Sequence, residues 1–231
     1  TAYEIRPRDW SSDVCSSDLK VDTSGTELNR YEYGTLASQS IRKAVQGPDG
    51  GFLLVGYENS SGSNFSYVLR LDSLMTEQFS ASYSGSVNEY ACGGYIKNEN
   101  EMYVTSDRNL NLGGGVMDYD LSLAKLDSSG STLWDSTYHE PFQNGGQGLI
   151  HGNNGLLYFY GETEIYQFSP YDYFIAATDS NGQLQWRKTF GGVGTNAIFD
   201  LYRNPIDGSM VGCGYGNSLG GGTTDRKSTR L

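Results

Sequence analysis

An aspartate-led turn recurs along this chain at a nearly constant period, and no other feature limits the fold as much. Asp22, Asp72, Asp127 and Asp179 stand 50, 55 and 52 residues apart. Each opens a polar turn, as in Asp127-Ser-Ser-Gly130 and Asp179-Ser-Asn-Gly182. Other positions keep the same register. Seven residues on stand Asn29, Phe79, Trp134 and Trp186; eleven on stand Tyr33, Tyr83, Tyr138 and Phe190. A second turn follows at Asp49-Gly50, Glu99-Asn100, Asn154-Gly155 and Asp207-Gly208, and a small residue closes the next run at Gly56, Ser106, Gly161 and Gly214. Self-similarity at this period is the signature of a repeat architecture.

Between these marks lie short runs rich in aromatic and β-branched residues, separated by the turn chemistry that divides strands. In the third repeat they predict strands over Thr132–Tyr138, Gly148–His151, Leu156–Gly161 and Tyr173–Thr178. The second repeat predicts Glu77–Tyr83, Tyr90–Lys97, Met102–Ser106 and Leu121–Leu126. No amphipathic helical window of useful length occurs. Four-stranded units at this spacing predict an all-β chain of β-propeller blades. A β-solenoid would need shorter coils, and immunoglobulin-like sandwiches about 100 residues each. The two recurrent aromatics lie four apart on one face of a strand, where they are expected to pack between neighbouring blades.

The ends of the chain do not share this pattern. With suitable codons Asp225–Leu231 reads gat cgg aag agc aca cgt ctg, the reverse complement of DNA running from Ser12 through Asp18 into the codon of Leu19. Both segments therefore resemble one translated sequencing-library adapter. Residues 1–19 and 225–231 are expected to be artefact that packs on nothing, and residues 20–224 to be an internal piece of a longer protein. The net charge is −11 with or without them. An acidic surface disfavours phosphate backbones and anionic membranes, so nucleic acid is excluded as an expected partner. No apolar run approaches the roughly 20 residues of a membrane helix, so no membrane insertion is expected. Cys92 and Cys213 lie in strand runs and read as small apolar fillers rather than nucleophiles or a disulfide framework.

The run Asp120-Leu-Ser-Leu-Ala-Lys-Leu-Asp127, the Gly130 turn, Trp134, Tyr138, Asn154-Gly155, Gly161 and the Phe190-Gly191-Gly192 corner resemble the repeats of secreted bacterial propeller proteins, the SBBP or delta-60-like repeats. The resemblance spans residues 20–224. It implies an extracellular or cell-surface protein, often ending in a type IX secretion sorting domain. It also implies that Tyr90–Lys97 and its equivalents are the innermost strands. The chain would then hold about three complete blades, Ser40 to Phe190, flanked by two partial ones. The second and third repeats depart from the aromatic-Gly-Gly corner, with Ser84 and His139 there.

A meander sends alternate connections to opposite ends. The tight turns fall at one end, and long polar loops are expected at the other, over Glu58–Asn64, Asp107–Asp118 and Glu162–Tyr171, with corners Ser84–Glu89, His139–Gly146 and Gly191–Asn196. Function commonly rides on such loops. The candidate ligand-binding residues are Asp107, Asp118, His139, Phe142, Glu162, Tyr166, Phe168 and Tyr171, since aromatic platforms and carboxylates suit a saccharide, peptide or protein ligand. No catalytic residue, cofactor or metal site is assigned. Asp118 with Asp120, and Glu162 with Glu164, lack a calcium loop, and His139 and His151 lack a third ligand at metal spacing. Gly192-Val-Gly194 precedes a strand and fails the dinucleotide context. The Asp-x-x-Gly-x-x-x-Trp run at Asp127 and Asp179 resembles the docking motif of quinoprotein propellers, but Ser129-Gly130-Ser131 and Asn181-Gly182-Gln183 replace its usual Thr-Gly-Lys, and the Asp-to-Trp spacing differs from that of sialidase Asp-boxes. The expected function is a non-catalytic binding or display module; a polysaccharide-acting enzyme using Asp107, Asp118 and Glu162, or a ligand-free spacer of a large adhesin, are the alternatives.

Overall fold

The computed structural model describes residues 16–34, 37–83, 88–113, 116–139, 144–164, 170–191, 194–216 and 225–230, and of these 16–21, 110–118 and 225–230 by backbone alone. All regular structure among them is β. The strands are β1 (Ser16–Val21), β2 (Glu27–Tyr33), β3 (Ser38–Gln46), β4 (Phe52–Ser60), β5 (Ser63–Leu71), β6 (Glu77–Tyr83), β7 (Glu89–Asn98), β8 (Glu101–Gly113), β9 (Val116–Leu126), β10 (Thr132–Tyr138), β11 (Asn144–His151), β12 (Leu157–Glu164), β13 (Tyr171–Thr178), β14 (Leu184–Phe190), β15 (Asn196–Arg203), β16 (Met210–Gly216) and β17 (Asp225–Arg230). They form five antiparallel sheets in chain order: β1-β2, then three four-stranded meanders β3 to β6, β7 to β10 and β11 to β14, then β15-β16-β17. The three meanders match the complete units read from the repeats. The row of sheets does not close into a ring.

Each hydrophobic core lies between two consecutive sheets. Leu53, Val55 and Val68 of the second sheet meet Ala91, Ile96, Met102 and Val104 of the third. Tyr103, Leu121 and Leu123 meet Leu149, Leu157, Phe159 and Phe174 of the fourth. Tyr158, Tyr160 and Ile175 then meet Ile198 and Leu201 of the fifth. The first strand of each later sheet packs against the sheet before it: β7 on β3, β4 and β5; β11 on β7, β8 and β9; β15 on β11, β12 and β13. Glycines permit this closeness. A Cβ on Gly93 would lie 2.5 Å from the backbone nitrogen of Leu149, so β7 and β11 approach backbone to backbone.

The repeated aspartate has a local role. Asp127 Oδ1 accepts the N–H groups of Ser129 (2.8 Å) and Ser131 (2.9 Å), and Asp179 does the same for Asn181 and Gln183. The side chain thereby satisfies turn donors that no ladder reaches. The fourth turn residue takes positive φ, as glycine in Gly25, Gly130 and Gly182 and, without that freedom, in Met75 (66°).

The aromatics at offsets seven and eleven join one repeat to the next, as expected. Phe79 lies where a Cβ on Gly130 would stand, and Trp134 likewise at Gly182. The hydroxyl of Tyr33 donates to the Met75 carbonyl (2.5 Å), Tyr83 to that of Gly130, and Tyr138 to that of Gly182 (2.8 Å). The outer strands β2, β6 and β10 are thus fastened to the following aspartate turn.

Several expectations are corrected here. Residues 107 to 118 are not a long loop, because β8 runs to Gly113 and β9 starts at Val116, with Asp107 opposite Leu121 and Asp118 opposite Leu110. Residues 58 to 64 likewise form a hairpin turning at Ser61-Gly62. Polar composition read as loop, but pairing needs only backbone groups. The same reason accounts for the terminal segments, expected to pack on nothing: β1 pairs with β2 and β17 with β16, since an open sheet edge accepts any extended segment. Cys92 is buried as expected, whereas Cys213 is exposed.

Candidate binding cleft at the first strands

The first strands of all four later sheets break register at the same place. The shift falls between Ile41 and Lys43, Ala91 and Gly93, Gly146 and Gly148, and Ile198 and Asp200. One residue is left unpaired in each: Arg42, Cys92, Gln147 and Phe199. Opposite the bulge stand Gly56, Ser106, Gly161 and Gly214, the recurrent small residues of the sequence. The crowding explains the three glycines, because a Cβ at Gly56, Gly161 or Gly214 would collide with the facing strand's carbonyl oxygen, that of Ser40, Gly145 or Ala197. A bulge re-aims the residue it leaves unpaired.

Three of those residues look into one cleft. It has a volume of about 440 Å³ and is lined by Arg42, Lys43, Cys92, Asp107, Gly145, Gly146, Gln147 and Glu162. Its walls come from three sheets. Asp107 accepts the backbone N–H of Gly146 and lies 3.7 Å from the Arg42 guanidinium. Burial raises its pKa from 3.8 to about 7, against the lowering influence of that N–H and of Arg42, and Glu162 raises it further. Glu162 accepts from Gln147 Nε2 (3.3 Å), and burial also pushes its carboxyl up. Arg42 lies over the rings of Tyr57 (5.7 Å) and Tyr90 (5.2 Å), where ring faces attract its charge. Cys92 donates to the Thr105 carbonyl (3.3 Å), and burial holds its thiol well above the usual range. It is an inert filler.

At the far wall Lys43 Nζ donates to the Tyr160 hydroxyl (2.8 Å), which donates to Asp200 Oδ1 (3.0 Å). Asp200 is 4.0 Å from Nζ. Burial lowers the Lys43 pKa and Asp200 partly restores it.

Of the eight residues read from sequence, Asp107 and Glu162 share this cleft, on strands β8 and β12. Tyr171 opens β13 opposite Glu164, and burial raises its hydroxyl pKa. His139 is elsewhere: its ring is 70% exposed and its Nδ1 pairs with the fully buried Asp120. The side chain of Asp118, and Phe142, Tyr166 and Phe168, lie outside the described residues. Sequence reading missed Arg42, Lys43 and Gln147. The signal was present in the small residues facing each bulge.

Among the described residues no group of three or more His, Cys, Asp or Glu is placed to hold a metal, and no helix is long and apolar enough to cross a membrane. No family model and no curated protein matches the chain. A solved structure titled "Crystal structure of the eukaryotic initiation factor" is similar at 8% identity with a TM-score of 0.34, over 94% of this chain and 63% of that one.

Proposed function

We propose that the chain is part of a secreted or cell-surface β-propeller whose bulged first strands form a binding site for a polar, hydroxyl-rich ligand of the saccharide class. The observation that carries this reading is the cleft itself. It sets donors, Arg42, Lys43 and Gln147, beside acceptors, Asp107 and Glu162, within about 440 Å³. Mixed donors and acceptors in a concave site suit a ring bearing several hydroxyls. The four-stranded meanders in chain order support the propeller, and the repeat resemblance supports the location. The test is a glycan array probed with the chain and with Glu162→Gln and Arg42→Ala. Signal lost in both variants is expected. A peptide array giving the only signal, or glycan signal untouched by either variant, would move the ligand to another class or another surface.

A second reading has one specific observation behind it. Asp107, raised to about 7 by burial, lines the cleft together with Glu162, and two carboxyls in one cleft are what polysaccharide cleavage uses. Release of reducing ends from a bound glycan, abolished by Asp107→Asn, would establish the enzyme over the binding module.

A further inference from the structure

We propose that Lys43 captures the carbonyl carbon of a polyhydroxylated aldehyde, such as an open-chain reducing sugar, as an imine. The inference rests on the cleft being the ligand site. Lys43 follows the bulged Arg42 on β3 and projects to the cleft with its side chain 30% exposed. Its amine makes its one short contact with a neutral hydroxyl, that of Tyr160 (2.8 Å), and meets the Asp200 carboxylate only at 4.0 Å. Gly148 makes the room: a Cβ there would stand 2.6 Å from Nζ and against the Tyr160 hydroxyl. The other lysines whose side chains are described differ. Lys97 and Lys125 are paired directly with Glu101, and Lys188 is exposed on β14. Burial favours the neutral amine at Lys43, which is the nucleophilic form.

The chemistry balances without an added reagent. The Nζ lone pair forms a bond to the aldehyde carbon while one amine proton passes to the carbonyl oxygen, giving a carbinolamine. Loss of that oxygen as water, with the second amine proton, leaves the carbon–nitrogen double bond. Tyr160 lies at hydrogen-bond distance from Nζ and can relay these protons, with Asp200 orienting its hydroxyl.

The experiment uses D-glyceraldehyde and cyanoborohydride, which reduces the imine to a stable secondary amine, followed by proteolysis and mass mapping of each lysine. Lys43 is expected to label at least tenfold faster than Lys97 and Lys188, and Tyr160→Phe to slow Lys43 alone. Uniform labelling would overturn the proposal, as would a Lys43 rate unaffected by Tyr160→Phe. If Tyr160→Phe fails to fold by circular dichroism, the rate ratio in the unaltered chain decides. Glycans immobilised by the reducing end cannot form this imine. Array binding without selective labelling would therefore sink the Lys43 chemistry and spare the cleft, while silence on the array with selective labelling would do the reverse.

Discussion

Asp107 shows how a residue's character is set by its surroundings. A carboxyl that titrates at 3.8 in an exposed chain is carried to about 7 by burial beside the first-strand bulge. Between those values the folded state holds a proton that the unfolded state has released, so folding stability falls as pH rises through this window. The difference corresponds to on the order of 4 kcal/mol. Glu162 is raised and acts in the same direction, whereas burial lowers His151 and acts against it. Comparison with Asp107→Asn separates the contributions. Urea midpoints measured from pH 5 to 7.5 should fall for the unaltered chain relative to the variant. Parallel curves would show that Asp107 ionises normally in the fold.

At the scale of the strand, stability depends on how each outer strand is tied to the next turn. Tyr138 donates across sheets to Gly182, and Trp134 covers the same turn. Tyr138→Phe should cost about 1 kcal/mol, the worth of one hydrogen bond with its acceptor left near solvent. The fourth repeat already carries Phe190 at this place. Trp134→Ala should cost more, about 3 kcal/mol, because ring packing is lost as well. Denaturant melts of both variants check the order. Equal losses would mean that the hydroxyl, and not the ring, fastens the turn. The aspartates, turn glycines and paired aromatics were legible as a repeat because every sheet needs the same local solution. The bulges were not legible as such, since their mark is a small residue on the partner strand rather than a feature of the bulged strand.

For the whole molecule, an open row of sheets leaves surface that the inner sheets have covered. On the fifth sheet Phe199 and Tyr202 are exposed, and Ile206 in the turn that follows β15 is exposed at 93%. The earlier equivalent of Tyr202 is Tyr95, which is stacked on His151 of the following sheet at 4.6 Å. The uncovered face should drive self-association, since apolar sheet surface seeks a partner. Sedimentation of the 231-residue chain is expected to show species larger than a monomer, reduced by Tyr202→Lys. A monodisperse monomer at micromolar concentration would count against that.

The sequence by itself determined the all-β class, the number of complete four-stranded units and the aromatics between them. Those follow from local periodicity and turn chemistry, which each repeat restates. Only the tertiary structure decided where the cleft lies. Arg42, Asp107, Gln147 and Glu162 belong to three different sheets, and nothing in their sequence neighbourhoods brings them together. Their meeting, and the burial that moves the Asp107 carboxyl to about 7, come from consecutive sheets packing their first strands side by side, a long-range event that no single repeat encodes.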